Sequence, residues 1–157
     1  MFANGGHLGK FAVALVSGVA LATQAAAQSG AITIASKYSV AETADRLEAA
    51  VKAEPGFAVF GRIDYQSIAA SQGGKVRPTW LVLFGRGRAV QTLLSKAPTL
   101  GLDLPLKVLV WGSGDGIVRL TYNSAEFLKA RHSAEGFDTV LKRITERTAL
   151  FAKKAAE

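Results

Sequence analysis

The stretch LKVLVW-GSGDG-IVRLTY, residues 106–122, decides the fold class of this chain. Two runs rich in β-branched and apolar residues, 106–111 and 117–122, flank five turn residues. Two such runs joined by a short glycine-containing segment are typical of a β-hairpin. Because hairpin strands run antiparallel, we expect the sheet that contains them to be largely antiparallel.

Outward from this hairpin, three more apolar segments are predicted to be strands. The strongest is Pro78–Phe84 (PTWLVLF), whose nearly continuous apolar run indicates burial on both faces of a sheet. Residues 57–64 (FAVFGRID) and 31–37 (AITIASK) are the other two. We expect Pro78–Phe84 to lie centrally and to be packed by apolar helical side chains, namely Leu47, Val51, Leu93, Val140 and Ile144.

Helices are predicted between and after the strands. Ser39 and Glu42 have the spacing of a capping box, and they precede an amphipathic helix over residues 40–53 that Pro55-Gly56 ends. The remaining helical segments are a short turn at 68–70, a helix that ends before Pro98, a short helix after a second capping-box spacing at Asn123 and Glu126, and a long helix from Phe137 to Phe151.

The predicted order is β-α-β-β-α-β-β-α, with the short extra helix before the last one. Hairpins interspersed with helices favour the α+β class, with a largely antiparallel sheet packed by helices. The chain has no internal repeat, low-complexity tract or linker. We therefore expect a single domain over residues 28–157.

The composition excludes several classes of function. The chain of 157 residues is 49% apolar and 20% charged, as in globular proteins. It has no cysteine and two histidines, so disulfides, thiolate catalysis, cysteine-based zinc sites and three-histidine metal sites are excluded. No cofactor or metal motif is present, and we expect neither group.

The formal charge of +7 is spread along the chain, so we expect no nucleic-acid partner. The densest basic cluster lies in the last predicted helix and is diluted by Asp138 and Glu146. We interpret it as a solvated helix face. Its members are Lys142, Arg143, Arg147, Lys153 and Lys154.

Residues 1–27 have the pattern of a cleaved secretory signal. Lys10 precedes an eleven-residue apolar run, and Ala25-Ala26-Ala27 supplies small residues before Gln28. The run is shorter than the roughly 20 residues that a bilayer span needs. We expect cleavage before Gln28, a periplasmic location and no transmembrane helix after cleavage.

A series of short strings along residues 31–155 is informative because of its order and spacing. The strings are Val40-Ala-Glu-Thr43 with Arg46-Leu47, Ile63-Asp64, Ala69-Ala70 with Gly73, Arg77-Pro78-Thr79, Phe84-Gly85, Leu102-Asp-Leu-Pro-Leu-Lys107, Asp115-Gly116, Tyr122-Asn123 and Arg131-His132. Together they resemble the family called domain of unknown function 302. The resemblance implies a compact α+β domain, often found in exported or membrane-associated bacterial proteins, and it implies no reaction.

Two positions depart from the family pattern. The chain has Asp64-Tyr65 where the family usually has Asp-His, and Arg86-Gly87 where it usually has Asn-Pro after Phe-Gly. Tyr65 keeps a hydrogen-bonding group, but it lacks a histidine's metal ligation and its titration near neutral pH.

The segment Gly85-Arg86-Gly87-Arg88 is the first candidate ligand site. It lies between the strongest strand and a predicted helix, where free helix amides and two arginines could hold an anion. The alternative is a tight turn that glycine permits, with both arginine side chains in solvent.

Tyr65 and His132 are the other candidates. Each follows or ends a predicted element, and both would join Arg86 and Arg88 in one pocket rim if the sheet order brings these chain segments together. The alternatives are a core role for Tyr65 and a hydrogen-bonded structural role for His132.

Three functions remain open from the sequence. The first is a non-enzymatic periplasmic module for binding or assembly, with a small anionic or amphipathic ligand between sheet and helices. The second is an enzyme that uses Asp64, Tyr65 and His132 as an acid–base set, which requires these groups to converge within hydrogen-bond reach. The third is a structural protein that self-associates as a homodimer through a sheet edge or the long helix.

Overall fold

The computed structural model describes residues 30–157, and the predicted signal at 1–27, with its cleavage point, lies outside them. The strands are β1 (Ala31–Ser36), β2 (Ala58–Asp64), β3 (Thr79–Gly85), β4 (Leu106–Gly112) and β5 (Val118–Asn123). The helices are α1 (Val40–Lys52), α2 (Tyr65–Ser71), α3 (Gly87–Leu94), α4 (Ala125–His132) and α5 (Asp138–Ala156), with a 3-10 helix at Pro98–Leu102.

The five strands form one sheet in the order β1-β5-β4-β3-β2, and every neighbouring pair is antiparallel. Strands β4 and β5 are the hairpin predicted from the sequence. The α+β class and the largely antiparallel sheet are therefore confirmed. Strand β3 lies between β2 and β4, while β4 occupies the centre.

Helices α1 and α5 pack against each other and against one face of the sheet. Helix α1 begins where the Ser39 hydroxyl accepts a hydrogen bond from the Glu42 amide (3.2 Å), as predicted. Its apolar face reaches the sheet through Leu47 and Val51, which are fully buried. Burial of each such side chain stabilises the fold by about 1.5–3 kcal/mol.

Three aromatic rings join the sheet to α5 inside this core. The Phe151 ring contacts the Phe84 ring edge-on, with centroids 5.8 Å apart, and the Phe57 ring at 5.2 Å. Phe84 and Phe151 are fully buried. The trio matters for the site because Phe57 faces a cavity on its other side.

A smaller apolar cluster packs α3, the 3-10 helix and α4 against the first turns of α5. Its buried members include Leu93, Leu100, Leu128 and Leu141, and Leu104 bridges it to the main core. This cluster fixes the segment between the 3-10 helix and β4, which forms one wall of the cavity described below.

An ion pair and several hydrogen bonds stabilise the β4–β5 turn. Asp115 accepts from the guanidinium of Arg119 at 2.6 and 2.9 Å and from the Ile117 amide, and Ser113 joins both side chains. The Arg119 guanidinium, the Ser113 hydroxyl and the Ile117 amide lower the pKa of the Asp115 carboxyl below its ordinary value.

Three local predictions differ from the structure. Only one face of β3 is fully buried, since Val82 and Phe84 point to the helices and Leu83 lies half-buried on the other face. Ser124, not Asn123, caps α4 by accepting from the amide three residues on. The short helical turn predicted at 68–70 is present but is longer than expected: it is a seven-residue helix, α2, which begins just after Asp64.

Candidate functional site

An apolar cavity of about 760 Å³ opens to solvent between α3, α5 and two chain segments. One segment follows α1 and the other leads into β4. The apolar walls are supplied by Phe57, Ala89, Val90, Leu93, Leu104, Pro105, Leu106, Val140, Ile144 and Leu150. Gly85 and five charged residues, Glu54, Arg86, Arg143, Glu146 and Arg147, complete the lining.

The end of β3 places Arg86 at this cavity. Ala58 pairs with Gly85 in the sheet, and α3 starts at Gly87, so Arg86 is the extended residue between strand and helix. A side chain at Gly85 would meet the Phe60 ring, which comes within 3.0 Å of a Cβ built there. The glycine therefore lets the Phe60 ring cross the strand end just before Arg86.

The Arg86 side chain lies across Gly56, which follows α1. Gly56 has a φ of +81°, in the left-handed region that favours glycine, and a Cβ there would lie 2.9 Å from Arg86 Nε. Among residues 30–157, the guanidinium of Arg86 has no hydrogen bond and no ion pair. The Arg86 side chain thus packs against backbone that carries no side chain at Gly56, and its N–H donors are available to a ligand.

Helix α5 supplies the other charges. Arg143 and Arg147 lie one turn apart and both line the cavity. Arg147 Nη1 is 3.2 Å from Glu54 Oε1, whereas the Arg143 side chain, like that of Arg86, has no carboxylate partner within the described chain. Glu146 faces Lys142 on the same helix at 4.0 Å.

The predicted segment 85–88 reaches the cavity only in part. Gly85 and Arg86 line it, Gly87 begins α3, and the exposed Arg88 is not among the lining residues. Arg86 is extended and precedes α3, whereas Arg88 lies in the first turn of that helix, so only Arg86 lies at the strand end that borders the cavity. The second and third cavity arginines instead come from α5.

Tyr65 lies at the opposite end of the sheet from Arg86. Asp64 pairs with Trp80 near the start of β3, whereas Arg86 follows its end. The Asp64 carboxylate caps α2 by accepting from the Ser67 hydroxyl (2.6 Å) and amide (3.0 Å), and the hydroxyl is the main reason that the pKa of Asp64 is lowered. Tyr65 itself is exposed.

His132 lies at the same end of the sheet as Arg86 but behind the cavity wall. Its Nε2 is 2.6 Å from Asp103 Oδ2, and both residues are buried. Asp103 also meets Arg131 Nε at 3.4 Å and Asn123 Nδ2 at 3.5 Å. His132 thus ties α4 to the segment that enters β4, as the structural alternative expected.

The acid–base set of Asp64, Tyr65 and His132 is therefore not assembled in this fold. An antiparallel hairpin reverses direction, so the end of β2 lies beside the start of β3 and far from the segment after it. Convergence of all three predicted chain segments would have needed β2 and β3 to run parallel.

Sequence reasoning missed Glu54, Arg143 and Arg147 at the cavity. The two arginines belong to the basic cluster interpreted as a solvated helix face. Their i, i+4 spacing, with the apolar Val140 and Ile144 beside them, does indicate one shared side of the helix. Only the tertiary packing reveals that this side faces a cavity. The pairing of Asp103 with His132 also depends on the fold, because the two residues lie 29 positions apart in the sequence.

Within residues 30–157, no group of three or more histidine or acidic side chains is arranged to hold a metal ion. The same residues include no helix with the length and apolar character that crossing a bilayer requires.

Comparison with known proteins gives a family match over most of the chain. The sequence model of the family described as "Domain of unknown function DUF302" matches residues 32–150. A crystal structure of a DUF302 protein from Bacillus stearothermophilus superposes with a TM-score of 0.72 at 19% identity, covering 80% of this chain and 98% of that one. At that identity the likeness shows a shared fold.

Curated relatives come from Brucella species. "Fluoride-specific ion channel FluC 1" of Brucella suis is 38% identical over 129 residues, which are 82% of this chain and 50% of the relative. The Brucella abortus protein of the same name and "Fluoride-specific ion channel FluC 2" of Brucella melitensis match at the same identity over 47% of their lengths. The chain thus spans about half the length of these relatives.

Proposed function

The chain belongs to the DUF302 family, and we propose that this member is a non-enzymatic module that binds a small amphipathic anion in the cavity between α3 and α5. One observation carries the proposal. The cavity has apolar walls, and the exposed arginines at its border, Arg86 and Arg143, have no carboxylate partner in the described chain.

The size and the lining both fit such a ligand. Small-molecule sites commonly occupy about 300–1,000 Å³, with mostly apolar walls and a few polar groups that orient the ligand. An aliphatic chain would gain about 0.8 kcal/mol for each methylene buried against residues such as Leu93 and Leu106. A carboxylate or similar head group would accept charge-assisted hydrogen bonds from Arg86 and Arg143.

The lining also favours binding over catalysis. Among residues 30–157, the side chains that line the cavity include no histidine, serine, threonine, tyrosine, aspartate or lysine. Its two carboxylates, Glu54 and Glu146, face Arg147 and Lys142, and no hydroxyl or imidazole among the described lining residues stands beside them to form a pair of nucleophile and base. The chemistry on offer is an apolar wall with charged side chains at its border.

The place of action follows from residues 1–27 as an expectation. Their signal pattern supports export and a periplasmic location, where a ligand would reach the open cavity from solvent. The channel name of the Brucella relatives describes proteins about twice as long. What this chain shares with them is the matched half, so we assign it no fluoride transport.

Isothermal titration calorimetry with decanoate tests the proposal. Decanoate should bind saturably with one site, and decyltrimethylammonium, which has the same chain and a positive head group, should bind far more weakly. Each hydrogen bond to a charged group contributes about 1.5–3 kcal/mol, so Arg86→Ala or Arg143→Ala should weaken binding by about 10- to 150-fold.

Two matched controls lie in α3 or just after it. Arg88→Ala and Lys96→Ala each remove an exposed cation that does not line the cavity and has no carboxylate partner in the described chain, and both should leave decanoate affinity within about twofold. The proposal fails if decanoate shows no saturable binding, or if the four variants weaken it equally.

A further inference from the structure

Two ion pairs compensate the carboxylates that line the cavity. Glu54 Oε1 is 3.2 Å from Arg147 Nη1, and Glu146 Oε1 is 4.0 Å from Lys142 Nζ. Glu54 and Glu146 are the only acidic side chains among the lining residues in the described part of the chain. Cations of the protein itself therefore already balance the negative charge at the cavity.

The other two arginines of the cavity, Arg86 and Arg143, are uncompensated. Within residues 30–157, neither guanidinium has a hydrogen bond or a carboxylate at ion-pair distance. Each of the two ion pairs is neutral as a whole, so the border of the cavity keeps two positive charges for a bound anion. A head group with one negative charge leaves one of them unbalanced, whereas a head group with two negative charges balances both.

Contacts along the border connect these two arginines. The Arg86 side chain lies over Gly56, two residues after Glu54, with its Nε 2.9 Å from a Cβ built at that glycine. Glu54 pairs with Arg147, and Arg143 lies one helical turn, about 5.4 Å, before Arg147 on the same side of α5. Both free arginines are exposed and line the same cavity, so their planar forks can bind one phosphate-like head group there.

From this charge balance we infer that the cavity selects amphipathic dianions, with a head group such as a phosphate monoester, over monoanions of the same chain length. This inference rests on the proposed function and adds the charge class of the ligand. It assigns the selection to Arg86 and Arg143, each of which supplies one of the two unbalanced positive charges.

Decyl phosphate and decyl sulfate are the probes, because they share the alkyl chain and a tetrahedral head group. At pH 8 the phosphate carries close to two negative charges and the sulfate one, since the second pKa of a phosphate monoester is about 6. Titration calorimetry of the parent at pH 8 should show about tenfold tighter binding of decyl phosphate, the scale expected of one extra charge beside two solvent-screened cations. At pH 5 the phosphate is mostly a monoanion, and the two affinities should agree within about twofold.

Arg86→Gln and Arg143→Gln each remove one of the two unbalanced charges, so each should lower the preference at pH 8 to about threefold, and the double variant should abolish it. Arg143→Lys keeps the charge and should keep the preference. Arg88→Gln and Lys96→Gln are the matched controls: each removes an exposed, unpaired cation that does not line the cavity, and the tenfold preference should remain.

The outcomes distinguish a failure of this inference from a failure of the proposed function. If the parent binds neither probe saturably, the proposed function itself fails. If it binds decyl sulfate as tightly as decyl phosphate at pH 8, the selection of dianions is refuted while the cavity remains an anion site. A preference that persists in the double variant, or that Lys96→Gln lowers as much as Arg143→Gln does, refutes the assignment to the two arginines.

Discussion

Truncation of Phe84 to alanine should cost about 3–5 kcal/mol of unfolding free energy. The side chain is fully buried on the helix-facing side of β3, and its ring meets Phe151 edge-on at 5.8 Å. The loss combines the transfer of the ring from water with the cavity left behind, since Phe151 is itself held by Phe57 and cannot close the gap. Native domains are stable by about 5–15 kcal/mol, so the variant should remain folded in water.

Its neighbour on the same strand is the matched control. Leu83 points to the other face and is half-buried, so Leu83→Ala should cost only about 1 kcal/mol, because much of its side chain already contacts water. This replaces the larger cost, about 2–5 kcal/mol, expected for a fully buried leucine at that position.

Urea denaturation, followed by circular dichroism and tryptophan fluorescence, measures both values, provided that the slope of free energy against urea is the same in all three proteins. Equal losses for the two variants would mean that both faces of β3 are buried. A loss under about 1 kcal/mol for Phe84→Ala would contradict the assignment of this face to the core.

Three further predictions concern a turn, a charge and the chain start. Gly56→Ala should destabilise the fold by about 1–2 kcal/mol, because it strains a left-handed backbone, and it should weaken decanoate binding, because the new Cβ displaces the Arg86 side chain. Gly73→Ala is the control: its φ is +74° and no atom lies near its Cβ, so it should lose stability through backbone strain alone. The pKa of Asp115 is lowered in the fold, so its contribution to stability is present above its ordinary value of 3.8 and is lost as pH falls below it. The urea midpoint of the parent should therefore exceed that of Asp115→Asn by more at pH 7 than at pH 2. An equal difference at the two pH values would argue against the lowered pKa of Asp115. Intact mass of exported protein should place Gln28 at the N-terminus, and a retained Met1 would refute cleavage.

Local patterns were sufficient for most elements. The β4–β5 hairpin, the Ser39 cap and the apolar spacing of α1 each depend on residues a few positions apart, so the sequence contains the whole interaction. The predictions were wrong where two adjacent residues could play the same role, or where contacts between elements distant in sequence determine the structure. Asn123 and Ser124 are both good caps, and the choice between them depends on where β5 ends.

Of the residues predicted to form the candidate site, only Gly85 and Arg86 line the cavity. Their position between a strand and a helix is a local feature, and it did reach the cavity. Arg88, Tyr65 and His132 did not, because the start of α3 before Arg88, the strand direction and the buried contact with Asp103 place them elsewhere.

By itself, then, the sequence determined the element order, the antiparallel hairpin, the α+β class and the family resemblance, because periodicity, caps and turns act over a few residues. Only the tertiary structure decided that the 54–57 turn, Arg86 and the Arg143–Arg147 side of α5 surround one apolar cavity. The physical reason is that side chains distant in sequence meet through strand order and helix packing. The ion pair between Glu54 and Arg147, whose atoms are 3.2 Å apart, depends on strand order and on helix packing.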